Sequence, residues 1–228
     1  MTSSDYRRIA RENLAGNWGQ SILVTFIASV LGALLTGGSF SFNIDAEMLA
    51  ELPATLQRYV ALLMSVMSFL GLVQFIVGGT VQLGYTKYLL NQYNKASFDI
   101  SDLFSEFDRF GQGFLQNFLR GLYIFLWSLL FVIPGIVKTY SYAMTPFIMA
   151  ENPNMTANEA ITASRELMDG HKFDLFLLEL SFFGWALLNL LTLGLGSLAL
   201  NPYIHAARAA FYKTTIMPKT LNTDFYAD

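Results

Sequence analysis

The chain has 228 residues, of which 54% are hydrophobic and only 14% carry a charged side chain. Soluble domains carry charge on about a quarter of their residues, so this composition disfavours a soluble enzyme and an intrinsically disordered chain. The net charge of −3 provides no basic surface for nucleic acid, and the lack of cysteine excludes a disulfide framework, a thiolate zinc site and a cysteine nucleophile.

The charged residues are unevenly distributed along the chain. No Asp, Glu, Lys or Arg occurs from Asn13 to Ile44, from Tyr59 to Thr86 or from Leu180 to Ala207. Two shorter uncharged stretches, separated only by Lys138, follow at Gly121–Val137 and Thr139–Ala150. A helix needs about 20 apolar residues to cross the hydrocarbon core of a bilayer. The uncharged stretches therefore predict a membrane protein rather than a large soluble core.

Six membrane-spanning helices are predicted within these stretches. In chain order they are about Ser21–Leu35, within Tyr59–Leu90, Phe118–Ile133, Ile136–Ala150, Phe173–Leu191 and Ser197–Tyr212. Pro134-Gly135 separates the third from the fourth, and the segment from Thr192 to Gly196 separates the fifth from the sixth; Gly and Pro are typical of chain reversals. The predicted fold is all-α: a transmembrane bundle of about six spans arranged as three helical hairpins, with additional interfacial amphipathic helices.

A single integral-membrane domain is predicted over residues 1–228. It comprises an N-terminal amphipathic helix (1–18), the six-span bundle (19–215) and a C-terminal tail (216–228). A cleaved signal peptide that includes Ser21–Leu35 is the competing interpretation, but no small-residue cleavage site follows this stretch.

The basic residues predict the orientation of the bundle. With six spans and a cytoplasmic N-terminus, 12 Lys and Arg residues lie inside and only Arg58 and Lys138 lie outside. An alternative that merges Gly121–Ala150 into one bent span reduces the split to about 7 to 6. The positive-inside rule therefore favours six spans with both termini in the cytoplasm.

Three polar segments between the spans have the periodicity of interfacial helices. The first, near the N-terminus, has its apolar residues on one face and a predicted end at Gly16. The second repeats apolar residues from Ile100 to Phe114, with Ser101 as its predicted cap. The apolar face of the first consists of Tyr6, Ile9, Ala10 and Leu14.

The third polar segment, residues 152–172, opens with the capping-box sequence Thr156-Ala157-Asn158-Glu159 and closes at Gly170. We expect this cytoplasmic segment to face a partner protein. Its apolar positions are Ile161, Leu167 and Met168, and its candidate interaction residues are Glu159, Arg165, Glu166, His171 and Lys172.

Glu179 is the acidic residue that lies deepest within a predicted span. If spans five and six are antiparallel neighbours, Glu179 reaches the depth of His205, close to Arg208 and Asn201. An ionisable residue inside a span is a functional hypothesis by default. The cluster is interpreted as a structural ion pair, a proton- or ion-coupled transport site, or a catalytic site. No metal, phosphate-loop or serine-hydrolase motif occurs, so no catalytic residue, metal or cofactor is predicted.

The second half of the chain, from Phe131 to Tyr212, carries a distinctive set of motifs. They include Pro134-Gly135-Ile136, Tyr140-Ser141-Tyr142, Gly170-His171-Lys172 and Ala210-Phe211-Tyr212. Together with Gly16-Asn17-Trp18 near the N-terminus, these residues resemble the integral-membrane family catalogued as domain of unknown function 975. The resemblance implies a multi-pass protein of the bacterial plasma membrane, and it implies no established activity, substrate or catalytic residue.

That family is distantly similar to the membrane domain attached to some glycerophosphodiester phosphodiesterases, which accompanies the catalytic part and does not perform the hydrolysis. We therefore expect a non-catalytic scaffold or accessory protein for an envelope or lipid-related process. Its expected partners are the lipid bilayer and other membrane or cytoplasmic proteins, and not nucleic acid. The alternatives are a small-solute or ion transporter that uses the Glu179, His205 and Arg208 cluster and, third, a membrane-embedded enzyme that acts on lipid.

Overall fold

A computed structural model describes residues 1–33, 52–192 and 194–220, apart from the side chains of residues 190, 219 and 220. The fold of these residues is all-helical, as predicted, and they contain no strand. Besides α-helices they contain two 3₁₀ turns (Ile100–Phe104 and Phe107–Arg109) and one π-helical turn (Tyr212–Ile216). The α-helices are α1 (Ser3–Leu14), α2 (Trp18–Val30), α3 (Ala54–Tyr93), α4 (Phe110–Leu130), α5 (Val132–Ser141), α6 (Thr145–Glu151), α7 (Ala157–Leu167), α8 (Lys172–Leu180), α9 (Phe183–Leu191), α10 (Ser197–Phe211) and α11 (Met217–Thr220).

The predicted spans are only partly reproduced by these helices. Among the described helices, α3 is the one that is long and apolar enough to cross a membrane, with 40 residues and a length of about 60 Å. A bundle of six spans is therefore not confirmed. The first predicted span is α2 as far as Val30, and its end at Leu35 lies outside the described residues. The fifth is interrupted at Ser181-Phe182, between α8 and α9.

The hairpin formed by α4 and α5 reverses at Phe131, not at Pro134-Gly135 as predicted. Phe131 is extended, with φ −161° and ψ 151°, whereas Pro134 lies in the first turn of α5, where a missing N–H costs no helical hydrogen bond. Gly135 packs against α4, since an added Cβ would lie 2.1 Å from the Oγ of Ser128. The fourth predicted span is also divided, because α5 ends at Ser141 and α6 begins only at Thr145.

The middle of α3 receives three other parts of the chain at close range. At Gly79 an added Cβ would lie 2.2 Å from the backbone oxygen of Gly113 on α4, and at Gly78 it would lie 2.7 Å from the backbone oxygen of Gly32, just after α2. At Gly84 it would lie 2.3 Å from a backbone oxygen of the first 3₁₀ turn. Glycine is therefore required at these positions for α2, α4 and the 3₁₀ turn to approach α3 so closely.

The hydrophobic core lies at one end of the molecule. There the second half of α3 contacts α6 and α10, while α1 packs on α10 and α7 packs on α6. Charged side chains are paired at this end: Glu106 bonds Lys87 at 3.0 Å and also pairs with Arg109, and Glu151 pairs with Lys213.

The predicted interfacial helices are packed against the protein. The apolar face of α1 is buried on α10, where the Tyr6 ring lies 5.3 Å from the Phe211 ring and the Tyr6 hydroxyl is 2.7 Å from the Thr215 hydroxyl. The second segment forms two 3₁₀ turns before α4 begins at Phe110, and its cap is Asp99 rather than Ser101. The apolar face of α1 therefore contacts the protein's own core, whereas in the second segment Leu103 is buried and Phe104 and Phe107 are exposed.

Large apolar side chains are exposed over the remaining part of the molecule. They occur on the first half of α3, around the α4–α5 turn and on α9; at the turn, Phe131 and Ile133 are each 74% exposed. On α3 they run from Leu56 to Ile76, a rise of about 30 Å, which is the thickness of a bilayer's hydrocarbon core. These three regions (α3 from Leu56 to Ile76, residues 125–137, and α9) are referred to below as the apolar surface.

We expect Gly79→Ala to destabilise the fold, because the new methyl group would meet a backbone oxygen that cannot rotate away. Overpacking of this kind costs about 1–3 kcal/mol. The measurement is the thermal unfolding midpoint of the detergent-solubilised protein. Gly71→Ala on the same helix is the matched control, since nothing lies within 4 Å of its added Cβ and alanine favours helix. Equal midpoints for the two variants would contradict the close α3–α4 contact.

Candidate functional site

A cavity of about 260 Å³ lies between α3, α4, α5, α6, α8 and α10, on the side of the core that adjoins the apolar surface. Its wall combines ionisable and polar groups with aliphatic and aromatic side chains. This polar cavity is lined among others by Gln82, Arg120, Tyr140, Glu179, His205 and Arg208.

Glu179 on α8 connects three helices at this cavity. Its Oε1 accepts a hydrogen bond of 2.7 Å from Nη2 of Arg208 on α10, and its Oε2 accepts one of 3.0 Å from the hydroxyl of Tyr140 on α5. The Tyr140 ring in turn packs edge-to-face on Phe176 of α8, at 6.0 Å between ring centroids. The carboxylate is thus held by a cation and a hydroxyl from two neighbouring helices.

Three of the four residues in the predicted cluster meet at this cavity: Glu179, His205 and Arg208. The His205 ring lies edge-to-face with Tyr85, at 5.4 Å, and His205 does not bond to Glu179 in the described part of the chain. Asn201 lies one helical turn before His205 on α10 and is not among the residues that line the cavity. Its place in the predicted cluster stays a prediction.

Arg120 on α4 supplies a second cation to the cavity. Its Nη2 donates hydrogen bonds to Oε1 of Gln82 at 3.1 Å and to Oδ1 of Asn117 at 3.3 Å, and Gln116 donates to the same Gln82 oxygen at 3.2 Å. Among the residues that the structure describes, no carboxylate lies within 4.0 Å of the Arg120 guanidinium. Arg120 is thus half-buried among neutral amide oxygens, without a counter-charge.

The close α3–α4 contact positions Arg120. Gly113 and Arg120 are seven residues apart, so they lie on the same face of α4, two turns from each other, with Gln116 between them. The sequence does contain a signal for a cavity-lining position of Arg120: it is the last charge before the uncharged stretch Gly121–Val137 and follows two amide side chains on its own helix face. When Arg120 is counted only as a basic residue of the inner membrane face, it is not placed in the cluster.

The predicted interaction segment forms a well-capped helix, α7. Thr156 Oγ1 accepts a hydrogen bond from the Glu159 backbone N–H at 3.4 Å, and the Thr156 backbone N–H donates to the Glu159 carboxylate at 2.8 Å. The second bond holds the pKa of that carboxyl below its usual range. Ile161, Leu167 and Met168 are buried, so the apolar face of α7 is occupied by the core.

The charged residues of this segment differ in exposure. Glu159, Arg165 and Glu166 are exposed, whereas His171 and Lys172 are half-buried. His171 Nδ1 is 3.0 Å from a carboxylate oxygen of Asp174, and Lys172 donates to Asp169 at 3.1 Å. Three of the five predicted interaction residues are thus open to a partner, while the other two close the loop between α7 and α8.

The comparison with protein families matches the family described as a protein of unknown function, DUF975, at residues 1–141 and 129–216. The chain belongs to this family. The predicted resemblance to domain of unknown function 975 is therefore confirmed. No curated protein and no solved structure matches the chain. The similarity to the membrane domain of glycerophosphodiester phosphodiesterases and the bacterial origin stay predictions.

A second cavity of this DUF975 chain, of about 360 Å³, lies between α4, α5 and α7. The Nζ of Lys138 lies 4.5 Å from the centre of the Trp127 ring, and Arg165 of α7 lines the same cavity. The six-span prediction placed Lys138 outside and Arg165 inside, on opposite sides of a core about 30 Å thick. The structure does not reproduce this separation, because α5 has only 10 residues and returns the chain to α7 within about 15 Å.

We expect Tyr140→Phe to lower the stability by about 1 kcal/mol, because Glu179 loses one hydrogen bond while the ring keeps its contact with α8. The measurement is the unfolding midpoint in detergent. The matched control is Tyr123→Phe, which removes an exposed hydroxyl bonded to Asn158 at 3.2 Å and should change the midpoint less. In a Glu179→Gln background the effect of Tyr140→Phe should shrink, and strictly additive losses would argue against coupling between the two side chains.

Proposed function

We propose that this chain is a multi-pass membrane protein. The observation that carries the proposal is the apolar surface, together with the hydrophobic core and the ion pairs Glu106–Lys87 and Glu151–Lys213 at the opposite end of the molecule. Soluble monomers rarely expose apolar patches of more than a few hundred Å². The exposed stretch of α3 matches the hydrocarbon thickness, so a bilayer accounts both for its length and for its exposure.

In this proposal α3 crosses the bilayer, and the α4–α5 hairpin enters and leaves by the same face. The exposed charges of α7 keep α7 out of the hydrocarbon core. Tyr123 of α4 bonds to Asn158 of α7, and only seven residues separate Tyr123 from Leu130, a rise of about 10 Å. The hairpin is therefore too short to cross a core of about 30 Å. Replacing the third and fourth predicted spans by this hairpin leaves four crossings and keeps both termini in the cytoplasm.

The proposed role is that of a non-catalytic scaffold or accessory protein for an envelope or lipid-related process in the bacterial plasma membrane. The support for this role is the construction of α7. Its buried side is fixed by Ser164, whose hydroxyl donates to the Ser141 carbonyl at 2.9 Å and accepts from the Met144 N–H at 3.2 Å. Its outer side exposes Arg165 and Glu166. A rigid helix with mixed charges is suited to dock a partner protein by complementary charge.

Single-cysteine labelling tests the membrane arrangement, and the chain is suited to it because it contains no natural cysteine. We expect Asp169→Cys to react with a membrane-impermeant maleimide only from the cytoplasmic side, and Ala54→Cys, at the start of α3, only from the opposite side. We expect Phe131→Cys to react from neither side, because the hairpin tip is placed inside the hydrocarbon.

The outcome at Phe131 separates two arrangements. Labelling of Phe131→Cys from the outer face would contradict the hairpin proposed here and support six full crossings. Labelling of Asp169→Cys from the outer face would overturn the orientation itself. Denatured samples of each variant provide the control that every cysteine can react.

Photo-cross-linking in cells tests the scaffold role. We expect a photo-activated residue at position 165 or 166 to form covalent adducts with a partner protein, and the same residue at position 58 to form none. The adducts at position 166 should disappear in a variant that carries Arg165→Glu, because the docking charge is reversed. An absence of adducts at every exposed position of α7 would contradict a docking function.

A transporter is the second candidate, and the polar cavity favours it. Glu179, His205 and Arg208 line a cavity that adjoins the apolar surface, where ionisable groups mark substrate or ion pathways. A transporter predicts that Glu179→Gln abolishes a flux in proteoliposomes while the protein still folds. Loss of folded protein in this variant would instead indicate a structural ion pair.

A further inference from the structure

We propose that the polar cavity binds a phosphate-bearing anion, with Arg120 as the principal contact. This site goes beyond the scaffold role. The ligand chemistry is a phosphate monoester or diester, which is supplied either by a lipid head group or by a soluble phosphate compound.

The charges that line the cavity favour an anion. Arg120 and Arg208 are cations, Glu179 is the single carboxylate among its lining residues, and this carboxylate is already bonded to Arg208 and Tyr140. The net formal charge of the lining is therefore positive, and the uncompensated part is Arg120. Removing a cation from water without a counter-charge is costly, and a bound anion offsets that cost.

Free hydrogen-bond donors point to the same ligand class. Arg120 bonds to Gln82 and Asn117 through Nη2 alone, and within the described ranges its Nε and Nη1 atoms donate to no residue. The buried Nε of Arg208 likewise has no partner among the described residues. The planar guanidinium group presents its donors in a fork that matches phosphate oxygens. The unused donors of Arg120, with the positive charge of Arg208 in the same cavity, thus form a suitable phosphate cradle.

The position and size of the cavity fit a phosphate group. Gln82 follows the end of the exposed apolar stretch at Ile76 by six residues, or about 9 Å along α3, which is the expected depth of lipid head groups. The volume of about 260 Å³ corresponds to about nine water molecules, so it admits a phosphate group but not the acyl chains of a lipid. The depth argument rests on the proposed membrane placement, whereas the charge and donor arguments do not.

Two binding measurements on the full-length protein test the site and identify the source of the anion. In the first, the protein is reconstituted into nanodiscs of phosphatidylcholine alone or with added phosphatidylglycerol, and the lipids retained after transfer to detergent are quantified. In the second, inorganic phosphate and glycerol phosphate are titrated into the protein in a maltoside detergent, which carries no phosphate group. We expect wild type to retain phosphatidylglycerol selectively or to bind a soluble phosphate; the first result indicates a lipid head group and the second a soluble compound.

The variants connect binding to Arg120. Arg120→Gln should weaken binding about tenfold, the loss expected for one charge-assisted contact. Arg58→Gln, which removes an exposed arginine far from the cavity, is the matched control and should bind as wild type does. Glu179→Gln should strengthen binding several-fold, because it removes the negative charge and frees Arg208. If Arg120 had only a structural role, phosphate binding would not weaken in Arg120→Gln and strengthen in Glu179→Gln.

Three results would overturn the site. In the first, the wild-type protein binds neither kind of phosphate. In the second, Arg120→Gln binds as well as wild type, and in the third, Glu179→Gln remains folded but binds less tightly than wild type. If Arg120→Gln does not fold, Arg120→Lys keeps the charge but loses the planar fork, and it should bind more weakly than wild type. If cysteine labelling contradicts the membrane arrangement, the soluble phosphate titration still decides whether the cavity binds an anion.

Discussion

The close approach of other segments to the middle of α3 is the constraint on which the rest of the structure depends. Within seven residues, Gly78, Gly79 and Gly84 receive the end of α2, α4 and the first 3₁₀ turn. Close backbone contact of this kind fixes the register of neighbouring helices, because one residue of sliding would bring a side chain against a carbonyl oxygen. The position of Arg120 beside Gln82 depends on this register. Gln82 lies about one turn after Gly79 on α3, and Arg120 lies two turns after Gly113 on α4.

The molecule is divided along α3 into two physically different parts. Beyond Gly78 the helix is buried among α6, α10 and the 3₁₀ turn, and ion pairs such as Glu106–Lys87 close that end. Before Val77 the same helix exposes large apolar side chains over about 30 Å. The polar cavity lies at the boundary between these parts. A boundary of this kind is where a charged group is held by protein on one side and reached from the bilayer interface on the other.

Much of the helical organisation could be predicted from the sequence because it depends on local signals. The absence of charge predicted where apolar helices lie, Gly16 and Gly170 follow the ends of α1 and α7 as expected, and the capping box at Thr156 is present. The neighbours expected for Glu179 followed from the spacing of charges in two adjacent helices, and Arg208 is its ion-pair partner. The all-helical fold was predicted correctly for these reasons, and the family was predicted correctly from the motifs between Phe131 and Tyr212.

The errors arose where long-range packing decides the outcome. The chain reverses at Phe131 and not at Pro134-Gly135, because proline is accepted in the first turn of a helix and Gly135 serves the packing on α4. The apolar faces of α1 and α7 have the period of interfacial helices, but a period does not specify whether lipid or protein covers the face. Arg120 was missed for the same reason, since its partners lie on another helix whose register is set by glycine contacts.

In the proposed membrane arrangement, the reversal at Phe131 would have a mechanical consequence for the surrounding lipid. A hairpin that enters only one leaflet adds cross-sectional area to that leaflet and none to the opposite one. The α4–α5 tip, with its exposed Phe131, Val132 and Ile133, would then act as a wedge that relieves packing stress in a curved or loosely packed membrane. The free energy of inserting these side chains would depend on lipid shape as well as on hydrophobicity, which couples the position of α5 and α7 to the lateral pressure of the bilayer.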